Sequence, residues 1–290
     1  METATLTMTQ PFDMGRTLRL LEVGERADDG AWWWASQTDA GLGTVQISRS
    51  DDGVVANAWG EGATSWLERL PKLVGHGDTS NLVNIPQRAQ PLMRDTRGVR
   101  LGHTGDIHAA LVKAVLGQVV TTTEASRSFR VLVRTHGEPA PGPHPMRAVP
   151  TPDVLAGLTY EDLHGFGIER RRADTLVEVA RRAKRLAEIT TMSRNDAYTR
   201  LEAVRGIGEW TSAVVMGAAW GDKDAVPVGD YHIPNGVAWV LTGRDRGTDE
   251  DMLDLLEPFR PERRRFLTAI KLAGVRAPRY GPKTAVRKHL

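Results

Sequence analysis

The chain has 290 residues, 26% of them charged and 40% hydrophobic, with a formal net charge of +2 and no cysteine. That length allows one large domain or two ordinary ones, and the apolar share suffices for a packed core, which excludes a disordered chain. The missing cysteines exclude disulfides, thiolate zinc sites, cysteine nucleophiles and cysteine-ligated iron–sulfur clusters.

Residues 1–98 read as an N-terminal α/β domain built on an antiparallel sheet. Strand-like runs at Thr17–Val23, Ala31–Ser36, Gly43–Ser48 and Gly53–Ala58 are separated by Asp28-Asp29-Gly30, Gly41-Leu42-Gly43 and Asp51-Asp52-Gly53. These turn signals predict a meander of about four strands. Ala63–Val74 then repeats apolar residues at Trp66, Leu67, Leu70 and Leu73, a helical face closed by Gly75. Trp32, Trp33, Trp34, Trp59 and Trp66 fall at spacings that suit sheet packing better than base stacking. METATLTMTQPFD has neither the basic nor the apolar region of a signal peptide, so a cytoplasmic protein is expected.

Residues 99–290 read as mainly α-helical. Asp106 can cap a helix over Ile107–Val120, and Ala125–Thr135 continues the pattern. The proline-rich stretch 139–150 is a connection, and Thr151-Pro152 opens the next helix. Asp162–Gly167 is a short helix and turn. Arg170–Glu188 predicts one long amphipathic helix carrying Arg171, Arg172, Arg181, Arg182, Lys184 and Arg185 outward. Further helices are expected at Asn195–Val204, Glu209–Trp220, Pro234–Leu241, Thr248–Leu256 and Glu262–Leu272. The charge-free stretch 210–221 is shorter than the ~20 apolar residues that span a bilayer. Residues 260–290 hold ten Lys and Arg against one acidic residue, while the rest of the chain is net acidic. So basic a segment suits either a polyanion-binding surface or a solvated tail.

The stretch that carries chemistry is Leu201–Tyr231. Two helices are joined by Arg205-Gly206-Ile207-Gly208. Glycine tolerates positive φ, so two glycines around one apolar residue allow a tight turn with Ile207 pointing inward. The turn presents the N-terminus of the second helix, whose free N–H groups and dipole suit a phosphate without reading base sequence. Downstream, Pro227 and Gly229 fix an irregular loop that presents Asp230, a residue that equally suits a cap on the helix starting near Pro234.

Four stretches resemble the helix-hairpin-helix (HhH-GPD) DNA glycosylase superfamily, and within it the DNA-3-methyladenine glycosylase II branch. Ala114–Val119 (AVLGQV) is similar to the family's A-I-L-G-Q helix. Pro150–Ala183 is similar to its helical pair with a G-hydrophobic-x-x-x-R-A turn. Val204–Ala213 resembles the hairpin, and Val226–Tyr231 the aspartate loop, with Asp230 twenty positions after Trp210. The resemblance implies an α+β protein: an N-terminal antiparallel-sheet domain, then a mainly helical glycosylase core of two subdomains with a cleft between them and the hairpin at 201–213.

What the resemblance implies for the site is specific. Asp230 would be the catalytic carboxylate. Trp210, Tyr231, Gln118 and Val214 would line the pocket for the extruded base. Gly206, Ile207, Gly208 and Thr211 would hold the DNA backbone, with Val119 as the wedge that fills the vacated stack. Carbonyls of Glu202, Val204 and Ile207 would hold a monovalent cation; no other cofactor and no iron–sulfur cluster is implied. Relatives that also cut the strand carry a lysine where Trp210 stands, so a monofunctional enzyme is implied. Val214 and Lys271 replace aromatic residues that some relatives carry. The implied activity is hydrolytic excision of alkylated bases such as 3-methyladenine and 7-methylguanine in base excision repair. The implied partner is double-stranded DNA with damaged bases, bound by a monomer at the nucleoid without any membrane. A glycosylase for another lesion class, a non-catalytic hairpin DNA-binding protein and a purely structural helical protein are the competing readings.

Overall fold

A computed structural model describes residues 1–21 and 23–278. The N-terminal region is a five-stranded antiparallel sheet in the order β1-β5-β4-β3-β2. Its strands are β1 (Glu2–Thr7), β2 (Glu25–Arg26), β3 (Trp32–Thr38), β4 (Gly41–Arg49) and β5 (Gly53–Gly60). The last three match predicted strands, and each pairs with its sequence neighbour through a tight turn. β1 was not expected. It is an edge strand pairing with β5 alone, and the short alternation of Ala4, Leu6 and Met8 with threonines, which packs Ala4 and Leu6 against the sheet core, is the signal that marks it.

The predicted strand at Thr17–Val23 is corrected by α1 (Met14–Arg19). Asp13 supplies the reason: its carboxylate accepts the Arg16 N–H at 2.9 Å and pairs with the Arg16 guanidinium. Met14, Thr17 and Leu18 then lie buried on one helical face, where a strand would have split them between two. α2 (Ala63–Leu73) packs on the sheet, and the Trp66 indole donates to the Gly43 carbonyl at 3.0 Å. Trp32, Trp33, Trp34 and Trp66 are buried, and Trp59 stacks on Trp33, so these five rings pack the domain as expected.

The helices follow in chain order: α3 (Gln90–Asp95), α4 (Ile107–Leu116), α5 (Thr122–His136), α6 (Pro152–Ala156), α7 (Tyr160–His164), α8 (Arg170–Arg181), α9 (Ala183–Ala187), α10 (Arg194–Glu202), α11 (Glu209–Val215), α12 (Ile233–Thr242), α13 (Asp249–Leu256) and α14 (Arg263–Leu272). α11 widens into a π-helical turn at Met216–Trp220. Asp106 caps α4 through the Ala109 N–H at 2.9 Å, as predicted. Residues 279–290, with much of the basic segment, lie outside the described residues. Among the described residues no helix is long and apolar enough to cross a membrane.

The helix expected over Arg170–Glu188 breaks at Arg182, whose φ of −102° and ψ of 6° end α8. Arg172 also differs from expectation: it is 3% exposed and points inward. Its guanidinium donates to the Leu116 carbonyl at 3.0 Å and the Gly167 carbonyl at 2.9 Å. One cation thus closes the C-terminus of α4, where the helix dipole is negative, and the turn before α8. Arg172→Ala leaves both carbonyls short of a donor and is expected to destabilise the protein by about 2–3 kcal/mol, read as a lower midpoint in urea unfolding.

Three cores support the molecule. One lies under the sheet around Trp34, Ile47 and Trp66, and one among α4 to α11 around Leu111, Leu176 and Leu201. The third joins α12, α13 and α14 around Val237, Leu256 and Phe266. Leu82, Ile85, Ala89, Leu92 and Met93, which precede residue 98, pack into this third core. Buried ion pairs tie the three together. The Asp78 carboxylate accepts from the Leu101 N–H at 2.8 Å, Lys223 Nζ at 2.6 Å and Arg265 at 2.8 Å. Burial alone pushes that carboxyl up, but the two cations outweigh it and hold it below the ordinary range.

Candidate active site and nucleic-acid interface

The hairpin between α10 and α11 forms as the glycine spacing predicts. Gly206 sits at φ 92°, and a Cβ there would lie 2.2 Å from Thr175 Oγ1, so glycine is required by both conformation and packing. Ile207 is buried and its N–H donates to the Val204 carbonyl at 3.0 Å, which closes the turn. Gly208 is exposed, and nothing lies within 4 Å of a Cβ placed on it. It caps α11 with no side-chain hydrogen bond. The first bond of that helix runs from the Ser212 N–H to the Gly208 carbonyl at 2.9 Å, so the N–H groups of Glu209, Trp210 and Thr211 precede the ladder.

Two predicted contacts change character. Thr211 is 2% exposed, and its hydroxyl accepts from Gln118 Nε2 at 2.9 Å. The same Gln118 amide donates to the Gly206 carbonyl at 2.9 Å. Gln118 therefore clasps the end of α4 to the hairpin, and only the backbone of Thr211 can face a phosphate. Ile207 likewise offers only its backbone.

The aspartate loop meets this assembly directly. Asp230 Oδ1 accepts the backbone N–H groups of His232 at 2.7 Å and Ile233 at 2.9 Å. Its Oδ2 accepts the Trp210 indole N–H at 3.1 Å. Capping α12 and holding a fixed anion are thus one arrangement, since Oδ1 does the first while Oδ2 turns toward Trp210. The Trp210 ring also lies against Gly117, where a Cβ would sit 3.4 Å from it. The tryptophan edge, whose role the sequence did not reveal, orients the carboxylate. Val214 is half-buried against the helical core. Tyr231 is 78% exposed and packs edge-on against His232.

Val119 stands apart. It is 92% exposed with φ 55°, a left-handed conformation unusual for a β-branched residue. Arg172 and the Gln118 clasp hold the preceding turn in place, so the backbone is driven to present this side chain to solvent. Ordinary helix packing does not describe it.

Several residues that hold the site had no signal in the sequence. Asp222 is buried and accepts from Arg194 at 2.9 Å, the Tyr198 hydroxyl at 2.9 Å and the Asp224 N–H at 2.9 Å. Burial and the Asp222 charge push the Tyr198 hydroxyl up, so it stays a donor. Asp224 is buried against Arg263, with two guanidinium contacts of 2.8 Å. These two carboxylates pin the strand of chain that leads to Asp230. Around the hairpin, the Glu202 side chain accepts from Ser212 Oγ at 2.6 Å, leaving its carbonyl separate from that bond. Among the described residues no group of three His, Cys, Asp or Glu side chains is arranged to hold a metal ion.

No protein-family model matches the chain. A putative DNA-3-methyladenine glycosylase of Bacillus subtilis is 22% identical over 200 residues, 68% of this chain and 66% of that protein. DNA-3-methyladenine glycosylase 2 of Escherichia coli is 28% identical over 138 residues, 47% of this chain and 49% of that protein. The chain therefore matches between about half and two thirds of the length of these relatives. A 3-methyladenine DNA glycosylase from Archaeoglobus fulgidus superposes with a TM-score of 0.78 at 18% identity, covering 94% of this chain and 98% of the other. In sequence the chain is thus similar to DNA-3-methyladenine glycosylases, and in fold to a solved member of that group.

Proposed function

We propose that the chain is a monofunctional DNA glycosylase that extrudes alkylated purines from double-stranded DNA and hydrolyses their N-glycosyl bonds, acting as a monomer in base excision repair. The observation that carries the reading is the Asp230 carboxylate held by three N–H donors, two from the backbone and one from Trp210. Departure of a base leaves an oxocarbenium-like sugar. A pre-positioned anion stabilises that charge and can orient or deprotonate the attacking water. Ordinary glycoside hydrolysis needs a second carboxyl group as acid. A ring-methylated purine already carries positive charge and leaves without one, so a single aspartate suffices.

The rest of the site suits that role. The exposed Val119 can fill the gap left by the extruded nucleotide, whose unstacking costs a few kcal/mol. The unladdered N–H groups after Gly208 suit a backbone phosphate. The carbonyls of Glu202, Val204 and Ile207 are hard, neutral donors of the kind a monovalent cation takes, and such an ion would add positive charge beside that phosphate. Trp210 stands where a Schiff-base lysine would be needed for strand cleavage, so no lyase step is expected. The face of its indole attracts a cationic purine by about 0.5–2 kcal/mol.

Two measurements test this reading. Methylated duplex DNA is expected to yield free 3-methyladenine and 7-methylguanine with the strand left uncut, while a duplex carrying 8-oxoguanine yields little. Equal release of the neutral lesion, or a borohydride-trapped enzyme–DNA adduct, contradicts it. Trp210→Phe keeps a ring but removes the N–H that orients Asp230. A hydrogen bond to a charged group is worth about 1.5–3 kcal/mol, so kcat is expected to fall roughly 10–100-fold with KM little changed. A fall confined to KM would mean that Trp210 serves base binding alone.

A further inference from the structure

A cavity of about 740 Å³ opens between the sheet domain and the third core, and it shares no residue with the Asp230 site. Its walls come from residues 9–11, the connection 79–97, Arg100 and α14. Four arginines line it, Arg94, Arg97, Arg100 and Arg265, and no Asp or Glu does. Arg265 is neutralised by Glu262 and Asp78 behind the wall. The other three are not. Among the described ion pairs none involves Arg94, Arg97 or Arg100. Arg100 is held instead by carbonyls, those of Asp78 at 2.6 Å, Thr9 at 2.9 Å and Pro11 at 3.2 Å. These bonds fix the guanidinium plane without cancelling its charge.

The lining also includes the apolar residues Leu82, Ile85 and Met93. The volume falls within the range of about 300–1,000 Å³ typical of small-molecule sites. Arg100, held in place and uncompensated, together with the exposed Arg94 and Arg97 suits a phosphate, which guanidinium groups can grip through paired N–H donors. With a phosphate gripped by the arginines, Leu82, Ile85 and Met93 remain in the lining to meet an attached planar or apolar group. A duplex is a poorer occupant, because its convex backbone touches the rim of such a concavity and leaves the apolar lining residues uncovered.

We propose that this cavity binds a small phosphorylated ligand of the nucleotide class, separately from the site of base excision. The test uses the full chain with pyrophosphate, adenosine diphosphate and adenosine as probes, followed by thermal melting and calorimetry. Pyrophosphate and adenosine diphosphate are expected to bind saturably and raise the melting temperature, with adenosine much weaker than adenosine diphosphate. Arg94 and Arg97 are exposed, so an R94A/R97A double variant is expected to melt like the parent without ligand. Its affinity for adenosine diphosphate is expected to fall roughly tenfold or more, the loss of about one charge-assisted hydrogen bond. Asp230→Asn is expected to bind adenosine diphosphate as the parent does, and an abasic duplex is expected not to displace it. No saturable binding of either phosphate probe, unchanged affinity in the double variant, or full displacement by the duplex would overturn the proposal.

Discussion

Asp230→Asn is expected to slow base release by roughly 10³-fold or more while leaving affinity for alkylated duplex nearly unchanged. The substitution is close to isosteric. The amide oxygen can still accept the His232 and Ile233 N–H groups that Oδ1 accepts at 2.7 and 2.9 Å, so the start of α12 keeps its cap. What disappears is the charge, and with it the acceptor for Trp210, because an amide NH₂ turned toward the indole N–H sets donor against donor. On the proposed reading, the developing positive charge on the sugar then loses its counterion. Single-turnover kinetics on methylated duplex, with affinity measured in parallel, read the two effects separately. An Asn variant that retains more than about a tenth of the parent rate would remove Asp230 from the chemistry.

The second large effect concerns stability. Asp224→Ala is expected to destabilise the protein by about 3–5 kcal/mol, lowering its melting temperature by roughly 10 °C. Asp224 accepts two bonds from the Arg263 guanidinium and one from the Arg263 backbone N–H at 3.2 Å, and both side chains are buried. Removing the carboxylate strands a cation away from water, which costs far more than the pair's net contribution. Arg260 is the control: it reaches the same carboxylate at 3.3 Å but is half exposed, so Arg260→Ala is expected to cost no more than about 1 kcal/mol. Because the stretch 222–224 is the anchored base of the aspartate loop, the Asp224→Ala variant is also expected to lose activity below its new melting point. Two variants that melt alike would show that the buried pair does not hold this junction.

The parts of the molecule legible in the sequence are those written in local pattern. Three strands were marked by Asp-Gly and Gly-x-Gly turns, and the hairpin by two glycines around Ile207, whose φ and packing demands only glycine at Gly206 meets. Asp230 is singled out by the resemblance of its loop, twenty positions after Trp210, to the family's aspartate loop. The misreadings arise where long-range partners decide. The run 17–23 alternates well enough for a strand, yet a cap four residues upstream at Asp13 turns its start into helix. Arg172 looks like one more solvated arginine on a helix face, and its partners are carbonyls at Leu116, distant in the chain, and at Gly167. The resemblance makes Thr211 a DNA contact, but Gln118, 93 positions earlier, already holds its hydroxyl. The buried carboxylates Asp78, Asp222 and Asp224 carry no local signature, since their cations lie on other elements. Val119 was legible in position only, and its left-handed backbone follows from how the end of α4 is tied down.

The central claim is that Asp230 drives excision of alkylated bases, and one side-by-side assay tests it most directly. Parent and Asp230→Asn proteins are incubated with methylated duplex DNA, and free bases and strand length are measured in the same samples. The account predicts 3-methyladenine and 7-methylguanine released by the parent alone, on strands that stay full length until heated in alkali. Free base from both proteins, or from neither while both bind the duplex, would contradict it.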